Sequence, residues 1–130
     1  MSYRRTLLII YCTVLLVLLA ACGGSKDTAA AIVEEYQNAL VSQNSDLISN
    51  LSCEEWEQEA ILELDSFQAV DASLEGLNCE RVGDDGDVAL VLCEGKIIAS
   101  YNNEKQEIDL NVRTYEVIKV GGDMRVCGYR

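Results

Sequence analysis

The chain has no histidine and no proline, and only 10 basic residues against 22 acidic ones in 130 positions. Without an imidazole, the usual Ser-His-Asp and Cys-His relays are closed, and so are histidine-ligated metal centres. No CxxC pair occurs either, so neither a thioredoxin-type motif nor a four-cysteine zinc ribbon is signalled. A formal charge of −12 with no basic cluster removes the electrostatic attraction on which nucleic-acid binding depends. No metal or other cofactor is implied. The length allows a single domain. What remains informative is the amino-terminal segment, the six cysteines and a change of hydrophobic period midway along the chain.

Arg4 and Arg5 precede an apolar run from Thr6 to Leu19, a charged n-region followed by an h-region. The run is shorter than the ~20 apolar residues needed to cross a bilayer core, and small residues close it at Ala20 and Ala21. The sequence Leu19-Ala20-Ala21-Cys22 resembles the lipobox of bacterial lipoprotein signal peptides. That resemblance implies cleavage after residue 21, attachment of a diacylglyceryl group to Cys22 and further acylation, such as palmitate, at the new amino terminus. Residues 22–27 then form the lipid anchor and tether, and residues 28–130 a single domain. With several acyl chains, each buried methylene contributing about 0.8 kcal/mol, the anchor is stable where one chain is marginal. Loss of Arg4 and Arg5 leaves 8 basic against 22 acidic side chains, a formal charge of −14. An anionic lipid surface repels such a body, so the membrane holds it through the lipid. The expected location is the extracytoplasmic side of the cell envelope.

Cys12 leaves with the signal peptide and Cys22 carries the lipid, so cysteines 53, 79, 93 and 127 remain. An even number in an exported domain suggests two disulfides. Their partners follow from the elements. Asp27 and Thr28 can cap a helix to about residue 42, with Ile32, Val33, Tyr36 and Leu40 in one stripe and Gln37 mostly off it. Asp46 to Leu51 offers a short helical turn. Ser52-Cys53-Glu54-Glu55 has capping-box spacing before a helix carrying Trp56, Ala60, Leu64 and Phe67. The acidic residues at 54, 55, 57 and 59 read as a solvated face at a helix start.

Beyond Phe67 the period falls to two. Four strands are expected, over 72–82, 87–101, 107–120 and 124–129, separated by turns at Gly83 to Gly86, Asn102-Asn103 and Gly121-Gly122. The third alternates, with Ile108, Leu110, Val112, Ile118 and Val120 on the expected core face. The second would span about 50 Å and must bend, with Gly95 the natural place for a bulge. The first hairpin places Cys79 beside Cys93, which leaves Cys53 for Cys127.

The expected architecture is α+β: two or three amino-terminal helices packed on a curved four-stranded antiparallel meander. It resembles the nuclear transport factor 2-like superfamily, the cone fold shared with ketosteroid isomerase. The resemblance rests on the helix Ala31-Ile32-Val33-Glu34-Glu35-Tyr36-Gln37-Asn38-Ala39-Leu40, the strand start Gly86-Asp87-Val88-Ala89-Leu90-Val91 and the closing segment Gly121-Gly122-Asp123-Met124-Arg125-Val126-Cys127-Gly128. A cystatin-like arrangement of one helix on a sheet is the alternative.

Three functions are compatible with that frame. The first is a non-catalytic, lipid-anchored binding or interaction domain, with a homodimer or envelope-protein partner docking on Val91, Ile97, Tyr115 and Val117. The second is a small-molecule binder lined by Tyr36, Trp56 and Phe67. The third, implied by the resemblance, is an enzyme of the ketosteroid-isomerase kind. It needs a carboxylate base and a hydrogen-bond donor. Tyr36 could donate, but Glu116 is the only carboxylate expected on the core face of the third strand, so no catalytic residue is assigned.

Overall fold

The computed structural model describes residues 25–130. The expected signal peptide, Cys12 and Cys22, the expected site of lipid attachment, lie outside the described residues, as does the start of the expected tether.

Among the described residues, three helices come first. Helix α1 (Thr28–Val41) starts where Asp27 accepts hydrogen bonds from the amides of Ala29 and Ala30, at 2.9 and 3.3 Å. Its buried face carries Ala29, Ala30, Val33, Tyr36, Gln37 and Leu40. Gln37 therefore belongs to the inward stripe, one turn after Val33, and not to the solvent side. Asn44 caps helix α2 (Ser45–Leu51) through the Leu47 amide, at 3.0 Å. Helix α3 (Glu54–Asp65) lacks the expected capping box. The Ser52 side chain is buried and donates to the Ile48 carbonyl at 2.7 Å, while the Cys53 amide bonds the Val126 carbonyl at 2.8 Å. The chain between α2 and α3 is thus stitched to the last strand, and the serine has no freedom to turn toward Glu55.

A five-stranded antiparallel sheet follows, one strand more than the sequence suggests. Strands β1 (Asp71–Asp85) and β2 (Val88–Tyr101) form a long hairpin. The expected third strand is two: β3 (Glu104–Asp109) and β4 (Thr114–Val120), separated by a 3₁₀ turn over Leu110–Val112. Both pair with the same edge of β2, β3 along Lys96 to Tyr101 and β4 along Val88 to Leu92. Strand β5 (Asp123–Tyr129) pairs with β4.

The bend in β2 falls at Gly95, and the extra residue of the bulge lies across from it on β1, where Glu75 and Asn78 flank the register shift. Gly95 has φ +100°, and a Cβ there would come within 2.6 Å of the backbone of Glu75 and Gly76. Only glycine fits. The β2–β3 turn uses Asn102 and Asn103, both with positive φ, as a tight two-residue hairpin needs.

The 3₁₀ turn shifts the phase of the alternation. Leu110 points inward, but Ile108 and Val112 are exposed, and in β4 the buried residues are Tyr115 and Val117, not Ile118 and Val120. The proposed docking residues are therefore core: Val91, Ile97, Tyr115 and Val117 are each at most 3% exposed. The second apolar face of β2 consists instead of Val88, Leu90 and Leu92, half-buried. Glu116 is half-buried as well, and its carboxylate is taken by Arg130, whose Nε donates to it at 2.6 Å.

Cys79 and Cys93 are register partners in β1 and β2, with Cα atoms 4.0 Å apart, and their sulfurs are at bonding distance. Cys53, just before α3, meets Cys127 in β5, with Cα atoms 5.0 Å apart. The β4–β5 register shifts by one residue at Cys127. Two such pairs suit an oxidising, extracytoplasmic setting. No helix among the described residues is long and apolar enough to cross a membrane.

Candidate binding cavity

Between α1, the end of α3 and the corner joining β3 to β4 lies a cavity of ≈140 Å³. Its apolar wall includes Phe67, Ile97 and Leu110, and its polar wall is Gln37, Glu63, Arg113 and Tyr115. Each polar residue arrives for a local reason. Gln37 comes from the inward stripe of α1. Glu63 follows Ala60 by three residues on the buried side of α3, and Arg113 is the first residue after the 3₁₀ turn.

Glu63 is the electrostatic centre. One of its oxygens accepts a hydrogen bond from the Tyr36 hydroxyl at 3.0 Å, and the other is ion-paired with the Arg113 guanidinium. Burial works against the Arg113 charge, yet Glu63 more than offsets this and holds the guanidinium protonated. Arg113 also lies over the ring of Tyr129, 4.2 Å from its centroid. Tyr129 in turn meets Trp56 and Tyr115 edge-on, at 5.3 and 5.9 Å. The arginine is thus fixed by a carboxylate on one side and an aromatic cluster on the other. Burial, then the negative charge of Glu63, raises both nearby phenols: Tyr36 well above the usual range and Tyr115 to about 12.

Gln37 is the exception in this paired set. It is fully buried, and neither its amide nitrogen nor its carbonyl oxygen has a hydrogen-bond partner. Its amide approaches the Tyr115 hydroxyl closely enough to favour the phenolate, but closes no hydrogen bond of ordinary geometry. A primary amide buried in this way is costly, about 1–3 kcal/mol.

Of the three aromatics expected to line a pocket, Phe67 does so. Tyr36 is fully buried beneath the cavity, bonded to Glu63. Trp56 packs on Tyr129, outside the lining. Gln37, Glu63, Leu110 and Arg113 were not legible as site residues. Two signals existed: a polar residue inside each helical stripe, and the change of apolar phase between Val112 and Tyr115. Larger hollows, of ≈650 Å³ beside Lys26 and Asn78 and ≈470 Å³ beside Met124 and Arg125, are more open, and the second is lined by Arg125, whose buried Nε has no partner.

No family model matches the chain, and no curated protein matches it in sequence. Among solved structures, the chain is similar to a SEC-C motif containing protein from Rhodopseudomonas palustris. The TM-score is 0.52 and the identity 13%, covering 80% of each chain. At that identity the likeness concerns the fold alone: three helices followed by an open antiparallel sheet, an α+β arrangement.

Proposed function

We propose that the protein is an exported, lipid-anchored domain of the cell envelope that binds a small molecule without transforming it, in the cavity bounded by Gln37, Glu63, Arg113 and Tyr115. The observation that carries this reading is the cavity itself, where Phe67, Ile97 and Leu110 form an apolar wall beside the Glu63–Arg113 ion pair. An apolar wall with a few fixed polar groups is what small-molecule sites present. Glu63 has both oxygens engaged, by Tyr36 and Arg113, which leaves it poorly placed to act as a base and supports binding over chemistry. The anchor is supported by the Leu19-Ala20-Ala21-Cys22 sequence and its preceding n- and h-regions, and export by the two cysteine pairs. A cone of the nuclear transport factor 2-like kind is the finer fold reading, supported by the order of helices and strands and by the bent second strand; a cystatin-like arrangement is the alternative.

Two measurements test the proposal. Intact mass of protein extracted from membranes is expected to show a lipidated chain beginning at Cys22, with its remaining four cysteines unreactive to alkylation before reduction. An unlipidated chain retaining Met1 would refute the anchor. A screen of small polar fragments by protein NMR is expected to place its hits at Gln37, Arg113 and Tyr115, and hits confined to other surfaces would refute the site.

A further inference from the structure

The ion pair at the cavity wall uses only part of its arginine. Glu63 is engaged at Nη1 of Arg113, so the Nε and Nη2 edge of the guanidinium is left over. Among the described residues that edge meets no acceptor, and neither nitrogen is sealed from water, the side chain being 38% exposed. Such an edge presents two parallel N–H groups, the fork to which a carboxylate binds through both oxygens. Tyr115 supplies a third donor on the same wall. The Gln37 amide and the Arg113 guanidinium approach its oxygen as donors, and its own O–H is given to no acceptor among the described residues. Burial and the charge of Glu63 keep that proton in place, with the phenol pushed up to about 12.

We infer that the cavity takes a short aliphatic monocarboxylate, its oxygens on the Nε and Nη2 edge of Arg113 and the Tyr115 hydroxyl, its hydrocarbon part against Phe67, Ile97 and Leu110. The inference rests on reading the cavity as the binding site. Its chemistry follows from what the wall offers and lacks. Donors are free, but acceptors are not: both oxygens of Glu63 are engaged, and the Gln37 amide is sealed from any occupant. An ammonium therefore finds no partner inside, and a neutral amide brings N–H groups that none of these residues can accept. Phosphate matches the donors but leaves the three apolar side chains uncovered. Asp109 stands on the exposed rim, where water screens its charge, whereas Arg113 is held in place by Glu63 and the Tyr129 ring. A volume of ≈140 Å³ compares with about 30 Å³ per water molecule in the liquid, which limits the ligand to about five to eight non-hydrogen atoms.

The test uses isotope-labelled full protein in detergent micelles, with four probes: 3-methylbutanoate, 3-methylbutanamide, acetate and inorganic phosphate. The Arg113 Nε–H resonance, assigned by its loss in Arg113→Lys, and the methyl resonances of Ile97 and Leu110 are expected to shift saturably with 3-methylbutanoate. That ion is expected to bind at least about tenfold more tightly than its isosteric amide, which lacks the charge and the second acceptor, and than acetate, which lacks the hydrocarbon. Arg113→Lys keeps a positive charge beside Glu63 but removes the fork, and Tyr115→Phe removes the third donor. Each is expected to weaken 3-methylbutanoate by at least about fivefold. The ranking of probes on the unaltered protein does not depend on how the variants fold. The amide, acetate or phosphate binding as tightly as 3-methylbutanoate, with shifts at the same resonances, would overturn the ligand class and leave the cavity as a binding site. If none of the four probes at millimolar concentration shifts Arg113, Ile97 or Leu110, the binding-site reading fails and the inference with it.

Discussion

Replacing Gln37 by methionine is expected to make the protein more stable. The two side chains are unbranched, of similar length and similar helix propensity, so α1 itself is unaffected. What changes is the desolvation penalty. Gln37 is fully buried with both amide atoms unpaired, and an unsatisfied buried polar group costs about 1–3 kcal/mol, which a thioether does not incur. The adjoining cavity of ≈140 Å³ gives the sulfur and methyl group room without overpacking. The expected gain is therefore about 1–3 kcal/mol. For a domain of this size it appears as a rise of about 4–12 °C in Tm, and as a higher urea midpoint at unchanged m-value. Chemical denaturation followed by far-UV circular dichroism, without added ligand, measures it. A loss of about 1 kcal/mol or more would refute the reasoning, because it would show that the amide is already hydrogen-bonded in the free protein.

Both disulfides should contribute, and unequally. On the chain-entropy model the Cys53–Cys127 bond, with a sequence separation of 74, contributes about 4.4 kcal/mol, and the Cys79–Cys93 bond, with a separation of 14, about 3 kcal/mol. Urea melts of protein with each bond selectively reduced should show that order, and equal losses would refute the entropic account. Tyr36 and Tyr115 have phenols raised by burial and by Glu63. The folded state therefore keeps their protons where the unfolded chain releases them, so stability is full below about pH 10 and falls as the pH rises further. Phenolate absorbance at about pH 11 should show both still protonated in the folded protein. Gly95→Ala drives a Cβ against the backbone of Glu75 and Gly76 at positive φ, and should cost about 2–4 kcal/mol. Gly86→Ala meets open space at φ +60° and should cost only about 1 kcal/mol; similar values for the two would refute the role given to Gly95.

The α+β order and the hairpin turns are legible in the sequence because each depends on neighbours. Cys79 and Cys93 face each other because a hairpin of known turn position fixes which residues are opposite. Gly95 marks the bend because a strand of that length cannot stay straight in so small a domain. The cavity is not legible in the same way, because it is made where a local rule changes. From Ile108 to Val120 the apolar phase changes once, between Val112 and Tyr115, and a reading that follows only the residues at its two ends draws one continuous strand. The bend of β2 prevents it: one edge of a bent strand cannot pair with one straight partner along its whole length. The partner therefore pairs, leaves through the 3₁₀ turn at Leu110–Val112, and pairs again one phase later. That single slip turns Tyr115 and Val117 inward and places Leu110 and Arg113 at the corner. Arg113 then finds Glu63, and Gln37 lies buried in the wall beside them. The proposed site is in this sense a consequence of Gly95. The close approach that only glycine permits bends β2, the bend breaks its partner, and the break supplies two walls of the cavity. Gly95→Ala should accordingly disturb the Arg113–Glu63 pair as well as stability, although residue 95 does not line the cavity.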